Sequence, residues 1–198
     1  MLRGERVVLR PLEAEDVDRL AELLGDLEVA HRVSNEPPLP WSRARWEAEL
    51  EAWTAEEDDT AARFAIDVDG ELIGLCDLHK LDHYRGVCDL GISLGQAYWG
   101  QGYGQDAVRT LVAYAFRYLN MRKVCLDVLA DDERAIGAYK KAGFVEEGRL
   151  RQQDWFEGDY RDVLVMGLLR EEWEEARDEP RGSLTGPTPR PERPTAGA

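Results

Sequence analysis

Residues 98–105 read Tyr98-Trp-Gly-Gln-Gly-Tyr-Gly-Gln105, with glycine at 100, 102 and 104. No other stretch limits the fold as much. It lies between a strand-like run over 87–94 and a helical pattern over 103–119, and a buried-looking strand follows over 123–129. The unit strand–helix–strand needs a crossover. Its strands are therefore expected to be parallel and adjacent, joined in the right-handed sense. The glycines permit positive φ and leave successive backbone N–H groups open. The helix start adds the positive end of its dipole. Together these features suit a phosphate or pyrophosphate. Alternating glycines at a strand-to-helix junction exceed what chain reversal alone requires.

The remaining pattern places this unit in a larger sheet. Arg6-Val-Val-Leu-Arg10 is a short strand ended by Pro11. Residues 13–24 carry Ala14, Val17, Leu20, Leu23 and Leu24 at helical spacing, and Gly25 is a stop signal. Residues 26–40 hold Pro37, Pro38 and Pro40 and read as a loop. Ser42 caps a helix expected to run to about residue 57, with Trp46, Leu50 and Trp53 on one face. Strands are expected over 62–68 and 71–78, joined by Asp69-Gly70, a strong hairpin signal. A helix over 133–142, stopped by Gly143, precedes strands over 144–150 and 161–169. The order βααβββαβαββ predicts an α/β domain. Its single mixed, mostly antiparallel sheet has about seven strands, with helices on both faces.

The chain has 198 residues, of which 25 are basic and 40 acidic, for a net charge of −15. Phosphate-backbone binding runs on Lys and Arg, so a nucleic-acid partner is not expected. Such a charge attracts cationic partners, although it also serves solubility or salt adaptation. No window approaches the roughly 18–20 apolar residues of a membrane span. The N-terminal residues lack the apolar stretch of a signal peptide. Cys76, Cys88 and Cys125 form neither a disulfide framework nor a metal pair. His31, His79 and His83 do not form a metal pattern. These features predict a cytoplasmic, metal-free, reduced-thiol protein. From 174 on, the chain holds Pro180, Pro187, Pro189, Pro191 and Pro194 and no aromatic residue. It cannot bury enough surface to offset its ordering entropy. The expected division is a folded domain over 1–173 and a disordered tail over 174–198.

Two nucleotide readings compete for the glycine turn. Gly102-x-Gly104-x-x-Ala107, with Asp127 further on, matches a dinucleotide fingerprint and would make the chain an oxidoreductase. Against it, Gly95 to Tyr98 separate the strand from the glycines, and other strands precede this one. The second reading fits glycines and element order together. Tyr98-Trp-Gly-Gln-Gly-Tyr-Gly104 and Arg134-Ala-Ile-Gly-Ala-Tyr-Lys-Lys-Ala-Gly-Phe144 resemble the GNAT family of acetyl-CoA-dependent N-acetyltransferases. Val8-Leu-Arg-Pro-Leu12, Gly70-Glu-Leu-Ile-Gly74, Glu147-Gly-Arg-Leu-Arg151 and Asp159-Tyr-Arg-Asp162 fit as well. The branch resembled contains ribosomal-protein alanine acetyltransferases, with spermidine acetyltransferases close by. Two departures stand out. Trp99 fills a place usually held by Gln or Arg, and Asp132 a place commonly held by Asn.

The resemblance implies transfer of an acetyl group from acetyl-CoA to a primary amine by direct attack in a ternary complex. It implies a cleft where the strands over 87–94 and 123–129 splay apart. Backbone groups of Ile92, Ser93 and Leu94 would hold the pantetheine arm, and Trp99, Gly100, Gln101, Gly102, Tyr103 and Gly104 the pyrophosphate. Asp132 and Ala135 would also border the carrier. Tyr139 takes the place of the family's catalytic tyrosine. A phenol near pKa 10 stays protonated at neutral pH and can protonate a departing thiolate. Asp89 aligns with an acidic residue that serves as base, or it anchors the substrate charge. His31 and Trp155 would line the acceptor pocket. The acceptor is a protein N-terminus or a small polycationic amine, and the protein a monomer or homodimer. A non-catalytic acyl-CoA sensor remains the alternative on the same fold.

Overall fold

The computed structural model describes residues 1–33, 41–54, 60–156 and 158–177. Eight strands form one sheet: β1 (Leu2–Arg3), β2 (Val8–Arg10), β3 (Ala62–Val68), β4 (Glu71–Asp82), β5 (Val87–Leu94), β6 (Lys123–Leu129), β7 (Val145–Phe156) and β8 (Asp159–Leu169). Their spatial order is β1-β2-β3-β4-β5-β6-β8-β7. Every neighbouring pair is antiparallel except β5 and β6, which run parallel. Six α-helices are described: α1 (Val17–Leu24), α2 (Leu27–Val33), α3 (Arg43–Thr54), α4 (Tyr103–Arg117), α5 (Glu133–Lys141) and α6 (Arg170–Ala176).

Local chemistry accounts for most boundaries. Asp69 and Gly70 take left-handed φ of 53° and 86°. Both central residues of a tight hairpin turn need that conformation. The Ser42 hydroxyl accepts the Arg45 N–H at 3.3 Å, which caps α3. The sheet has one strand more than expected because Leu2 and Arg3 fold back on Leu9 and Val8. Two residues are too short a run to show a strand period. β7 extends to Phe156, past its expected end near 150. The register shifts between Leu150 and Asp154, where Gln152 has φ 55°. That irregularity hides the strand period.

α2 corrects the loop expected over 26–40. The Asp26 carboxylate accepts the N–H groups of Glu28 at 2.9 Å and Val29 at 3.3 Å and so starts a helix. The cap was masked by the prolines that follow it. Residues 34–40, and the expected end of α3 near 57, lie outside the described residues. α6 runs to Ala176, so the boundary expected at 173 falls inside a helix. Residues 178–198 also lie outside the described residues.

The sheet is covered on both faces, as predicted. α1 and α3 bring Leu20, Leu23, Trp46 and Leu50 onto Ala65 and Leu72. α4 brings Val108, Leu111, Val112 and Phe116 onto Ile66, Cys76, Leu78 and Leu90. Ala65 and Ile66 enter opposite cores because successive strand residues point to opposite faces. Full burial of each such large apolar side chain contributes roughly 1.5–3 kcal/mol. Trp46 is buried, with its ring centroid 4.6 Å from Trp41, and serves this core. Among the described residues no helix is long and apolar enough to cross a membrane.

Candidate active site

β5 and β6 pair only through Val87, Cys88 and Asp89 with Lys123, Val124 and Cys125. Beyond that point β5 stays with β4 as far as Leu94, opposite Gly74, while β6 stays with β8 as far as Leu129, opposite Val163. Each strand twists with its own antiparallel partner, and the parallel pair opens into a fork. The Gly95 N–H donates to the Ile73 carbonyl at 3.0 Å. By the two-residue strand period, Gly91 and Ser93 also turn their backbone groups to β4, and Ile92 and Leu94 turn theirs into the fork. A cleft of about 930 Å³ fills the fork, and Ile92, Ser93 and Leu94 line it.

The glycine turn closes one side of the cleft, where Gly100, Gly102 and Gly104 are exposed to it. Gly100 and Gly102 have φ of 71° and 87°, which a side chain would strain. Gly102 caps α4, whose first backbone bond runs from the Asp106 N–H to the Gly102 carbonyl at 3.1 Å. The N–H groups of Tyr103, Gly104 and Gln105 therefore precede the helical ladder. Gly104 differs from its neighbours because its φ is not positive. A Cβ there would lie 3.2 Å from Leu94 Cδ1, so glycine keeps the helix close to β5.

Gln101 and Tyr103 do not line the cleft. Gln101 Nε2 donates to the Ala97 carbonyl at 2.7 Å, and the Tyr103 ring lies under the Arg6 guanidinium at 4.4 Å. Arg6 also donates to the Gln101 carbonyl. Asp106 accepts the backbone N–H groups of Glu5, Arg6 and Val7 at 3.1, 2.7 and 3.0 Å. It thus ties the N-terminal strands to the start of α4. The sequence signal for Asp106, an acid in a helix's first turn, is too common to mark that role.

Trp99 and Asp132, the two departures, meet through arginine. The Trp99 indole donates to the Leu94 carbonyl at 2.7 Å. The Arg134 guanidinium lies 3.9 Å from the centre of the Trp99 ring, and that of Arg32 lies 5.9 Å away. Asp132 Oδ1 caps α5 by accepting the Ala135 N–H at 2.9 Å. Its Oδ2 accepts from Arg32 at 3.2 Å and from Arg134 at 3.5 Å. An ionised Asp cannot donate, yet every contact here asks it only to accept. Arg32 was not identified from sequence, because α2 itself was not expected. Two buried polar atoms, Ser93 Oγ and Arg32 Nε, have no hydrogen-bond partner among the described residues.

Tyr139 is 8% exposed, lines the cleft and sits 6.0 Å from Phe144, ring centre to ring centre. Burial, and then the charge of Asp132, raise its phenol to about 12. Asp89 is the last residue of β5 paired to β6 and accepts from Lys80 Nζ at 2.7 Å. His79 also lines the cleft, and its Nδ1 is 3.3 Å from Asp77 Oδ1. Trp155 does not line it. The residue is 58% exposed and its ring packs on Tyr160, 4.4 Å between centroids, while the adjacent Asp154 lines the cleft. His31 falls in α2, and its side chain lies outside what is described. Cys125 is half-buried, and burial raises its thiol.

A family model for the acetyltransferase (GNAT) domain matches residues 6–145. The chain belongs to the GNAT acetyltransferase family. An N-acetyltransferase of Bacillus licheniformis is 32% identical over 174 residues, which is 87% of this chain and 97% of that one. The spermidine N(1)-acetyltransferase of Escherichia coli (strain K12) is 29% identical, covering 95% of this chain and 99% of that one. The crystal structure of spermidine N-acetyltransferase from Vibrio cholerae in complex with CoA and spermine superposes with a TM-score of 0.77. It is 26% identical and covers 86% of this chain and 99% of that one. This GNAT protein is an acyltransferase with acetyl-CoA as cosubstrate.

Proposed function

We propose that this GNAT enzyme acetylates a primary amine of a small polycationic acceptor of the polyamine type. The observation that carries the reading is the division of charge along one cleft. Arg32, Arg134 and Lys141 outnumber Asp132 and Glu133 on the side of the glycine turn, whereas Asp89, Asp127 and Asp154, from β5, β6 and β7, outnumber Lys80 on the other. The cationic side suits the phosphates of the carrier, and the carboxylates suit a spaced row of ammonium groups. The relatives named as spermidine acetyltransferases support the same acceptor class.

The residues of the cleft fit acetyl-CoA. The unpartnered Ser93 hydroxyl and the fork-facing backbone groups of Ile92 and Leu94 answer the amides of a pantetheine arm. The Leu94 carbonyl already accepts from Trp99, so its N–H is the group left to offer. Gly100, Gly102 and the free N–H groups that open α4 answer the pyrophosphate, and Arg134 supplies the charge missing at Trp99. A thioester seated there places its carbonyl against the Ile92 N–H, and one such donor contributes roughly 3–4 kcal/mol to transition-state stabilisation. Tyr139 delivers a proton to the departing sulfur. Asp89, held by Lys80, anchors the incoming ammonium.

The test is release of CoA thiol from acetyl-CoA with spermidine, compared with a peptide bearing an N-terminal alanine. Turnover with spermidine at much the higher kcat/KM is expected. Preference for the peptide would redirect the enzyme to protein N-termini, and acetyl-CoA binding without release of thiol to either would leave a sensor.

A further inference from the structure

The carboxylate–imidazole pair of β4 has no part in that scheme, and its placement is informative. Asp77, His79, Gly91 and Asp89 lie on one face of the sheet, because Asp77 pairs with Gly91 and His79 with Asp89 across β4 and β5. It is the face of Leu75, which packs into the core under α1 and α3. Tyr139 belongs to the opposite core, with α4. The fork joins the two faces. A glycine inside a strand normally weakens it and often marks a close approach. Here a Cβ at Gly91 would fall 2.3 Å from Asp77 Oδ1 and 3.7 Å from His79 Cε1. Gly91 thus makes room for the pair, one residue before Ile92.

We infer that His79, oriented by Asp77, is the catalytic base that takes the proton from the acceptor ammonium, an inference that rests on the acetyl-transfer reading above. A carboxylate can only accept, so the proton between them sits on His79 Nδ1, and in the neutral ring Nε2 keeps its lone pair. The ammonium gives one proton to Nε2, and the amine nitrogen then forms its bond to the thioester carbon. As the carbon–sulfur bond breaks, Tyr139 protonates the sulfur. The second nitrogen proton returns to Tyr139 through solvent, and the imidazolium releases its proton to bulk water. The acid and the base thus serve the two opposite faces of the fork. Asp89 is less suited to the task, since Lys80 occupies it at 2.7 Å.

The surroundings tune the imidazole. The hydrogen bond to Asp77 raises it above its ordinary value, while burial lowers it. The charges of Asp77 and Asp89 raise it further, and Lys80 lowers it. Asp127 on β6 acts on Lys80, and Arg63 on β3 is the cross-strand partner of Asp77. The base form therefore gains with pH, and kcat is expected to rise to a plateau.

The experiment measures kcat against pH with acetyl-CoA and spermidine, and acetyl-CoA affinity by calorimetry, for wild type, His79→Gln, His79→Gly and Asp77→Asn. His79→Gln should lower kcat by roughly 10²–10⁴-fold, with acetyl-CoA affinity kept. Asp77→Asn should move the rise to lower pH, and added imidazole should restore part of the rate of His79→Gly. His79→Gln within twofold of wild type, or an unmoved rise in Asp77→Asn, overturns the assignment. So does a loss of rate that accompanies lost acetyl-CoA binding and ignores imidazole. Wild-type protein that binds acetyl-CoA and acetylates neither spermidine nor the alanine peptide overturns the transfer reading itself, a result distinct from failure of the His79 variants alone.

Discussion

The indole N–H of Trp99 lies 2.7 Å from the carbonyl oxygen of Leu94, so the residue that replaces the family's Gln or Arg braces the wall of the fork. Trp99→Phe keeps the ring under Arg134 and deletes that donor. Loss of one partly buried hydrogen bond costs about 0.5–1.5 kcal/mol. The melting temperature should drop by roughly 2–4 °C per kcal/mol lost. Calorimetric melts showing no change would mean that Trp99 acts through its ring alone.

Tyr139→Phe preserves the packing on Phe144 and removes the proton. We expect kcat to fall by about 10²–10⁴-fold while acetyl-CoA affinity hardly changes. Burial holds the phenol near 12 and therefore protonated, so kcat should show no falling limb from this group below about pH 10. A variant that keeps half the wild-type kcat returns Tyr139 to a core role.

Gly104→Val presses branched methyls against Leu94 Cδ1, which is 3.2 Å from the first added carbon. Acetyl-CoA should bind at least tenfold more weakly, about 1.4 kcal/mol. Gly102→Ala adds left-handed strain of order 1–3 kcal/mol at the helix cap. Titration calorimetry checks both, and unchanged affinity in a folded Gly104→Val protein removes the phosphate-cradle role.

Asp132→Ala loses the α5 cap, for about 0.5–2 kcal/mol, while Asp132→Asn retains an acceptor for the Ala135 N–H. The alanine variant should melt lower than the asparagine variant. Equal losses would locate the stabilisation in the charge between Arg32 and Arg134 instead.

Truncation after Arg177 keeps all of α6 and the contact of Arg177 with Trp173, 5.0 Å from guanidinium to ring centre. Melting temperature and activity should stay within error. Truncation after Trp173 removes the last turn of α6 and should be the less stable of the two.

Local rules carried far in this chain. Asp69-Gly70 dictates a hairpin and Ser42 a helix cap, because each depends on a few adjacent residues, and the crossover from β5 through α4 dictates a parallel neighbour in β6 because it depends on the order of consecutive elements. The glycine turn and the Arg134–Phe144 run carry the family resemblance that implies the acyl carrier. What the tertiary structure decided depends on residues far apart in sequence. Only the fold shows that pairing stops at Asp89 and Cys125, since the fork arises from two strands each following a different partner. It alone brings Arg32 from α2 beside Asp132 across 100 positions, and sets Asp154 into the cleft while turning Trp155 out. It also sets His79 next to Gly91, two positions along β5 from its partner Asp89. In the sequence His79 falls one residue past the strand expected over 71–78, whereas the strand runs to Asp82; strand register, which selects its neighbours and its face, is a property of the whole sheet.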